Sequence, residues 1–396
     1  MLAEETPLRI LMVLESPFPM TGGGGAESQV RTLGRELRRR GHRVSVLTPR
    51  FVDGPPRHVE RAEGLPIGRI AYPAVRGIGS VVLWLRLVAF LWRKRRRYDA
   101  IHVHIAHYIG AVSCAMGRLL GLPTIVKFTG QWELESGLLA PDASVGARLF
   151  KPLLALASAY QAISWRIGSE VVARGLPQRL VVHLPNAVDM SRFEVVRAAR
   201  VIGDPLRCVY VGRLQKHKGL DTLLQAWQRA FPQAGRARLQ LVGTGADEAK
   251  LRVLGAELGI ANQLQFLGHR RDIESVLGDA DLAVLPSLIE GLSNALLEFM
   301  ASGLAVVASR VSGSEDLIVD GRNGWLFEVG DVGGLAAALD AAARLVPADL
   351  AALGRQARVD VAQAAGLDRV IARLLQLYRG TAPATVDAAT AVIGSH

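Results

Sequence analysis

The feature that most constrains the fold is a regular alternation of short β-branched runs with longer amphipathic segments, which continues along nearly the whole chain. This alternation is typical of parallel sheets whose strands are joined by helical crossovers. The sequence therefore predicts an α/β fold. The predicted strands are 9–14, 43–48, 68–72, 100–104, 124–128, 160–164 and 180–184 in the first half, and 207–211, 238–242, 264–267, 282–285, 305–308 and 325–327 in the second.

The strands divide into two sets, and 396 residues are too many for one ordinary domain. A turn and a mixed-charge stretch at 186–205 separate the sets and place the boundary near residue 200. Each half opens with a strand and a glycine-containing loop, which predicts two Rossmann-like domains, 1–200 and 201–365, that face each other across a ligand-binding cleft. We expect a C-terminal helix at 366–380 to pack back toward the first domain, and a disordered tail at 381–396.

The net charge of +11 is confined to one half of the chain. Residues 1–195 hold 26 Lys and Arg against 15 Asp and Glu, whereas the two classes are equal in number in the remainder. A half this basic favours a polyanionic neighbour: a nucleic acid, an acidic membrane surface or an anionic substrate. Nucleic acid is the least favoured, because the basic residues lack interleaved aromatic side chains.

One segment, 80–98, combines a long apolar run with a basic end, Arg93 to Arg97. In a helical projection Arg86 shares a stripe with this end, opposite Trp84, Val88 and Leu91, as in helices that lie on anionic membranes with Trp92 as a further anchor. The alternative is an ordinary domain helix with a solvated basic end. The run is shorter than the ~20 residues of a spanning helix, and the N-terminus resembles no signal peptide, so we expect a cytoplasmic, peripheral protein.

Two glycine-containing loops can approach phosphate groups. Gly22 to Gly25 follow the first strand and precede a helix, where backbone N–H groups can bind an anion, although a merely flexible turn is an equal alternative. The loop after strand 207–211 carries Arg213 and Lys218 near a strand end, where two cations can hold a diphosphate. A solvated basic loop is the alternative.

The segment 286–298 is the most informative. A strand ends at Pro286, Glu290 and Gly291 form a loop, and Ser293 or Asn294 can cap a helix that carries Glu298. The two carboxylates can each accept hydroxyl hydrogen bonds, and the helix start is rich in amides. The pattern fits a ligand with vicinal diols and a phosphate, whereas a lone pair of glutamates is commonly a solvated helix face.

No metal site is predicted. Asp279 and Asp281 form a D-x-D pattern, but their position before strand 282–285 favours helix-end and turn chemistry. His102, His104 and His107 lack a carboxylate at ligand spacing and are interpreted as a polar cluster facing the cleft. The two cysteines are far apart, which supports neither a disulfide framework nor a thiolate site.

Together these motifs resemble the retaining GT-B glycosyltransferases with an E-x7-E signature, the bacterial group 1 glycosyltransferases. The resemblance extends from Arg9 to about Tyr378. It is carried by Gly24-Gly25-x-Glu27, Gly212-Arg213, Lys218-Gly219, Gly243-Thr244-Gly245, Phe266-Leu267-Gly268, Glu290 through Glu298, Ser312-Gly313 and Asn323-Gly324.

The resemblance implies a first domain that binds the acceptor and a second that binds the nucleotide sugar. Arg213 and Lys218 would bind the donor diphosphate, Glu290 the hexose and Glu298 the ribose. Backbone near Gly291, Leu292, Ser293 and Asn294 would support the phosphates, Gly24 and Gly25 would close over them, and the segment around Gly268 would lie near the base. The family retains anomeric configuration and needs neither metal nor cofactor.

The sequence departs from the family at one position. Many members have a histidine near the reacting sugar after the strand that corresponds to 124–128, whereas this chain has Thr129 and Gln131 there. These two residues, with His104, are the candidates on the acceptor side.

The resulting prediction is a hexosyltransferase that uses a UDP-sugar in preference to GDP-mannose. Its acceptor would be a lipid-linked sugar or polysaccharide at the cytoplasmic membrane face, with membrane contact through 80–98 and no nucleic acid partner. The alternative is a soluble glycosyltransferase or GT-B epimerase that acts on a small molecule.

Overall fold

The computed structural model describes residues 6–381, except 17, 19–23, 52–58, 76, 131, 136, 143 and 195–199. The chain forms two compact units, and the predicted α/β fold is confirmed. The first unit runs to Ala187 and includes the segment that begins at Leu367, and the second runs from Val188 to Gly366. Most of the tail predicted to be disordered, 382–396, lies outside the described residues.

The elements alternate as the sequence pattern predicts. Those up to residue 187 are β1 Arg9–Val13, α1 Gly25–Arg39, β2 Arg43–Phe51, β3 Val59–Ala62, β4 Leu65–Tyr72, α2 Ile78–Lys94, β5 Ala100–Val103, α3 Tyr108–Leu120, β6 Thr124–Phe128, α4 Trp132–Glu135, α5 Val145–Leu154, β7 Ala159–Ala162, α6 Trp165–Ala173 and β8 Val181–His183. Those that follow are β9 Leu206–Val211, α7 Leu220–Ala230, β10 Ala237–Val242, α8 Glu248–Glu257, β11 Leu264–Gly268, α9 Ile273–Gly278, β12 Leu282–Leu285, α10 Asn294–Ala301, β13 Ala305–Ser309, α11 Ser314–Leu317, β14 Gly324–Phe327, α12 Val332–Arg344, α13 Pro347–Ala365 and α14 Leu367–Tyr378.

The first unit has an eight-stranded sheet in the order β3-β4-β2-β1-β5-β6-β7-β8. All its strands are parallel except β3, which pairs with β4 as an antiparallel hairpin. Sequence analysis missed β3 because Val59–Ala62 lacks a β-branched run. The hairpin turn is made by Glu63 and Gly64, both with positive φ, a geometry typical of tight hairpin connections.

The second unit has a six-stranded parallel sheet in the order β11-β10-β9-β12-β13-β14, the arrangement of a dinucleotide-binding Rossmann fold. The strand order reverses between β9 and β12, which pair directly. In open parallel sheets a ligand binds beyond the carboxyl ends of the strands at such a reversal. This location directs attention to the loops that follow β9 and β12.

The division between the units falls at Ala187 and Val188, earlier than the predicted boundary near residue 200. The backbone N–H of Val188 donates to Ala365 O at 3.0 Å. The Arg358 guanidinium donates to the carbonyls of Met190 and Phe193 at 3.2 and 2.9 Å. These bonds fix the segment after Val188 to α13, so residues that have the composition of a linker are part of the second unit.

The C-terminal helix α14 packs within the first unit, where Val370, Ile371 and Leu374 join the hydrophobic core. Its last residue, Tyr378, is 1% exposed and donates its hydroxyl hydrogen bond to His102 Nδ1 at 2.7 Å. His102 Nε2 lies 3.1 Å from Gln161 Oε1, and Gln161 Nε2 donates to Leu184 O at 2.9 Å. This buried network joins α14 to three strand segments.

We expect Tyr378→Phe to lower the free energy of unfolding by about 1–3 kcal/mol, because it leaves His102 Nδ1 buried without a donor. Thermal or urea unfolding measures the effect. The control is Tyr72→Phe, since the half-buried Tyr72 hydroxyl has no hydrogen-bond partner in the described part of the chain. Equal stability of the two variants would contradict the network.

Candidate functional site

The loops after β9 and β12 contact each other at the point where the strand order of the second sheet reverses. Gly219 has φ +65°, and a Cβ there would lie 2.0 Å from Pro286 O, so only glycine allows this approach. Leu288 N donates to His217 O at 2.9 Å across the same contact. The contact brings the cations of one loop to the carboxylate of the other.

Lys218 and Glu290 form an ion pair between these loops, with Nζ and Oε1 2.5 Å apart. Both side chains are largely buried, at 15% and 13% exposure. Ser287 Oγ donates to the same Glu290 oxygen at 2.9 Å, and Ser309 Oγ in turn donates to Ser287 O at 2.5 Å. The structure therefore holds two of the predicted site residues in direct contact.

Arg213 is exposed beside this pair, and no carboxylate in the described ranges forms an ion pair with its guanidinium. Its carbonyl accepts from the buried Tyr210 hydroxyl at 2.9 Å. The pKa of His217, which lies between these two cations in the sequence, is lowered by burial and by the charges of Lys218 and Arg213. The loop is thus a locally positive surface that can bind an anion.

Glu298 lies in the first turns of α10, and burial raises its pKa to about 7. The Arg192 charge opposes this shift and the Glu274 charge adds to it. Arg192 and Glu274 form an ion pair with each other. Glu298 is therefore a largely desolvated carboxyl group close to a cation that is already paired.

The start of α10 is held by close backbone packing. Ser293 occupies the N-cap position without a side-chain capping bond, and Gly291 and Leu292 are buried. A Cβ on Gly313 would lie 2.7 Å from Gly291 O. Gly268 ends β11 at φ +63°, and its carbonyl accepts from Gly243 N at 2.8 Å. The predicted donor residues thus lie at the carboxyl edge of one sheet.

Asp281 has a structural role, as its position in the sequence predicts. Its carboxylate accepts from the backbone N–H and the guanidinium of Arg207 at 2.7–2.9 Å, which fixes the start of β9. Within the described ranges, no three His, Cys, Asp or Glu side chains are grouped so that they could hold a metal ion.

In the first unit, the predicted glycine loop begins α1. Gly24 is the N-cap and Gly25 the first helical residue, whereas Gly22 and Gly23 lie outside the described residues. The Glu27 side chain is buried over Gly24, and a Cβ on Gly24 would lie 1.7 Å from Glu27 Oε2. Ser16 Oγ donates to the other Glu27 oxygen. A carboxylate therefore already lies at this helix N-terminus.

The predicted cleft-facing histidine cluster is wrong for two of its three members. His102 lies on β5 and His104 directly follows it, so their side chains point to the same face of the sheet. Both are 0% exposed. His102 lies on the face that α14 covers through Tyr378. His107 is partly exposed, and its Nδ1 lies 2.8 Å from Glu15 Oε1. Burial lowers the pKa of His107, but the Glu15 carboxylate outweighs it, so the net shift is upward.

Thr129 is engaged with a neighbouring carboxylate. Its hydroxyl donates to Glu133 Oε1 at 3.0 Å and its backbone N–H to Glu133 Oε2 at 2.6 Å. Gln131, the other candidate after β6, lies outside the described residues. Sequence analysis missed Lys127, Glu133 and Ser287. Alternation along β6 could have placed Lys127 inward, but no spacing rule indicates the Ser287 contact.

The exposed apolar face of α2 agrees with the predicted one at Val88 and Trp92 but not at Trp84 and Leu91. Trp84 packs against Tyr108 and Phe150, with ring centroids 5.5 and 4.5 Å apart, and Leu91 is buried. The exposed apolar side chains share a stripe of three- and four-residue spacing: Ile78, Val81, Leu85, Val88 and Trp92. The projection failed because the helix is apolar on both faces. Arg93 and 95–97 are exposed at its end.

Comparisons with known proteins agree with this arrangement. Residues 205–344 match a family model described as Glycosyl transferases group 1, and residues 23–192 match one described as Glycosyltransferase Family 4. The D-inositol 3-phosphate glycosyltransferase of Geodermatophilus obscurus is 30% identical over 375 residues, which cover 84% of this chain and 81% of the relative.

A second relative matches this chain over only about half of its length. The putative colanic acid biosynthesis glycosyltransferase WcaL of Salmonella typhimurium is 32% identical over 213 residues, so the match spans about half of each chain, 51% and 52%.

Among solved structures, Anabaena HepE in complex with UDP and glucose has a TM-score of 0.72 at 20% identity and covers 93% of this chain and 98% of its own. The sucrose-phosphate synthase of Thermosynechococcus elongatus has a TM-score of 0.73 at 22% identity, with 94% and 98% covered. These likenesses show the GT-B fold.

The desolvated Glu298 leads to a stability prediction. Because burial raises its folded pKa above the unfolded value, its contribution is present at low pH and is lost as the pH rises toward and through about 7. We expect Glu298→Gln to be more stable than the unmodified chain by about 1–3 kcal/mol at pH 8 and equally stable at pH 4. Chemical denaturation at both pH values tests this, with the exposed Glu257→Gln as the control. A loss of stability at pH 8 would contradict the desolvation.

Proposed function

Because the chain belongs to the group 1 glycosyltransferases, we propose that it transfers a hexose, with retention of configuration and without a metal ion, from a UDP-sugar. The observation that carries the proposal is the Lys218–Glu290 ion pair beside exposed Arg213, at the strand reversal of a Rossmann sheet. The proposed acceptor is a lipid-linked sugar or polysaccharide at the cytoplasmic membrane face.

In this proposal, Lys218 and Arg213 bind the donor diphosphate and stabilise the charge that develops as it leaves. Two preorganised cations suit that task, because the leaving group gains negative charge while the bond to the sugar breaks. Glu290 accepts hydrogen bonds from the hexose hydroxyls and Glu298 from the ribose diol. Backbone N–H groups at the start of α10 support the phosphates.

The proposed reaction needs no separate base. The bond between the anomeric carbon and the diphosphate oxygen breaks, the acceptor oxygen bonds to the same face of that carbon, and the acceptor proton passes to the departing phosphate. Both glutamates of the site then act as binding groups. A UDP-sugar is preferred over GDP-mannose as the donor. The structure of HepE in complex with UDP and glucose supports this choice.

Two observations support the proposed acceptor: the names of similar proteins and the exposed surface of α2 in the first unit. Similar proteins include a phosphatidyl-myo-inositol mannosyltransferase of Mycolicibacterium smegmatis, 30% identical over 349 residues and 84% of each chain. On α2 the exposed stripe from Ile78 to Trp92 ends in exposed arginines, a combination that suits an anionic lipid surface. On α5, Val145 and Leu149 are also exposed, and Trp84 links the two helices by its contact with Phe150.

The alternative is a soluble glycosyltransferase or epimerase that acts on a small molecule. Among the described residues, no helix has the length and apolarity to cross a membrane. Vesicle binding distinguishes the two, because the alternative requires none.

We expect Glu290→Ala to lower the transfer rate by about 10²–10³-fold while UDP affinity stays unchanged or rises, because Lys218 loses its internal partner. Glu298→Ala should instead weaken UDP binding. Calorimetric titration with UDP and a transfer assay in EDTA measure both effects. Equal losses of UDP affinity in the two variants would contradict the division of roles, and activity that requires added manganese would contradict the metal-free reaction.

We expect replacement of Arg93, Lys94, Arg95, Arg96 and Arg97 by Gln to weaken binding to phosphatidylglycerol vesicles more than tenfold, since each basic residue contributes about 1 kcal/mol. Leu85→Asp, on the exposed stripe, should also weaken binding. Val253→Asp changes an exposed valine of the second unit and is the control. If the unmodified protein fails to cosediment with such vesicles at low salt, the soluble alternative is favoured.

A further inference from the structure

A cavity of about 350 Å³ lies at the amino edge of the second sheet, opposite to the edge that carries the candidate donor site. Its volume is within the range of small-ligand pockets, about 300–1,000 Å³. The cavity is lined by the segments before β9 and β10 and by the connection between α12 and α13: Arg200, 202–204, Gly235, Arg236 and 343–347. Since β9 has six residues, about 20 Å of strand separates the cavity from the loop that carries Arg213. The proposed donor site does not use this cavity.

Three arginines make the cavity locally positive. Arg200, Arg236 and Arg344 line it, against one acidic residue, Asp204. Residues 196–396 hold equal numbers of basic and acidic side chains, so this excess is not a consequence of the overall charge of the second half of the chain. Arg344 pairs with Asp340 one helical turn away at 2.7 Å. The other two arginines therefore supply most of the uncompensated charge.

These two guanidinium groups have donors to spare. Arg200 Nη2 donates to Leu345 O at 3.4 Å, whereas Arg200 Nε is buried without a hydrogen-bond partner in the described part of the chain. Arg236 is exposed, and no carboxylate among the described residues forms an ion pair with it. A planar guanidinium binds phosphate oxygens through paired N–H donors. The cavity thus suits a phosphate group.

An apolar turn, residues 201–204, lies beside the cavity. Val201 is 66% and Ile202 81% exposed, and Val346 across the cavity is 49% exposed. Asp204 N donates to Val201 O and Val201 N donates to Asp204 Oδ2, both at 3.1 Å, while Gly203 has φ +99°. These bonds keep the turn closed with its apolar side chains in water. Single exposed apolar residues are common, but a cluster rimmed by charged groups marks an interaction surface.

We propose that the cavity and the apolar turn together dock on an anionic phospholipid bilayer. A lipid phosphate would enter the cavity, and Val201 and Ile202 would enter the boundary between headgroups and acyl chains. A bilayer offers phosphate and hydrocarbon side by side, which matches the arginines and the turn. A soluble phosphate compound would leave the turn in water. The inference goes beyond the proposed function, because it requires neither sugar transfer nor the surface of α2.

The first test places a fluorophore on the turn. Both native cysteines, Cys114 and Cys208, are buried, so Ile202→Cys can be labelled selectively with a nitrobenzoxadiazole dye. We expect phosphatidylglycerol vesicles at low salt to raise the dye emission by about twofold or more, because the dye leaves water. Phosphatidylcholine vesicles and free glycerol 3-phosphate should leave it unchanged. The labelled Val253→Cys, at an exposed valine of α8, is the matched control and should not respond.

The second test removes one cation. Arg236→Gln should weaken cosedimentation with phosphatidylglycerol vesicles about fivefold, the contribution of one basic residue near an anionic surface. Arg355→Gln, at an exposed arginine of α13, is the control and should bind as the unmodified protein does. Thermal unfolding checks that both variants fold, which their exposed positions favour.

The outcomes separate this surface from that of α2. A dye response at position 202 that persists in Leu85→Asp supports the inference, whatever the fate of the proposed function. Vesicle binding without a dye response overturns it and leaves α2 as the membrane contact. An equal response to glycerol 3-phosphate assigns the cavity to a soluble phosphate compound, and dimerisation that Ile202→Asp abolishes assigns the turn to a second copy of the chain. Either result, or no binding to any vesicle, also overturns the inference.

Discussion

The ion pair between Lys218 and Glu290 is the interaction on which the candidate site depends. It exists because Gly219 allows the loop after β9 to reach Pro286 in the loop after β12. Without a ligand, the ammonium of Lys218 and the carboxylate of Glu290 pair with each other, and both side chains are largely buried. A bound nucleotide sugar would offer a new partner to each group: its diphosphate to Lys218 and its hydroxyl groups to Glu290. In the proposed function, the pair keeps both groups ordered until the donor binds.

Several groups in this chain are kept in states that cost stability. Glu298 is desolvated beside an arginine that Glu274 already pairs. Lys127 is buried without a partner in the described part of the first unit. Proteins commonly retain such groups where function requires them, since an apolar or neutral substitute would stabilise the fold. The first case lies in the unit proposed to bind the donor, and the second lies in the unit proposed to bind the acceptor.

The fold followed from the sequence more fully than the side-chain contacts did. Every predicted strand exists, because hydrophobic periodicity reflects burial on a sheet directly. The hairpin strand β3 was missed because Val59–Ala62 lacks a β-branched run and its pairing depends on the turn at Glu63 and Gly64. The exposed face of α2 was predicted correctly at Val88 and Trp92 but not at Trp84 and Leu91, because apolar residues cover both faces and the contact of Trp84 with Phe150 decides which is inward.

The candidate site divides in the same way. The positions of Arg213, Lys218, Glu290 and Glu298 in the second unit could be predicted, because these residues follow strand ends or lie at a helix start. The burial of Lys127 and His104 without a partner among the described residues could not be predicted, because it depends on the register between β5 and β6. The contact of His102 with Tyr378 could not be predicted either, because α14 comes from the far end of the chain.

The most direct test of the central claim is hydrogen–deuterium exchange of the intact protein with and without UDP. If the second unit binds the donor, the amides of residues 212–219 and 288–298 should be protected by UDP, while those of the loops after β5 and β6 should be unchanged. Protection confined to the first unit, or none in these two loops at saturating UDP, would contradict the account.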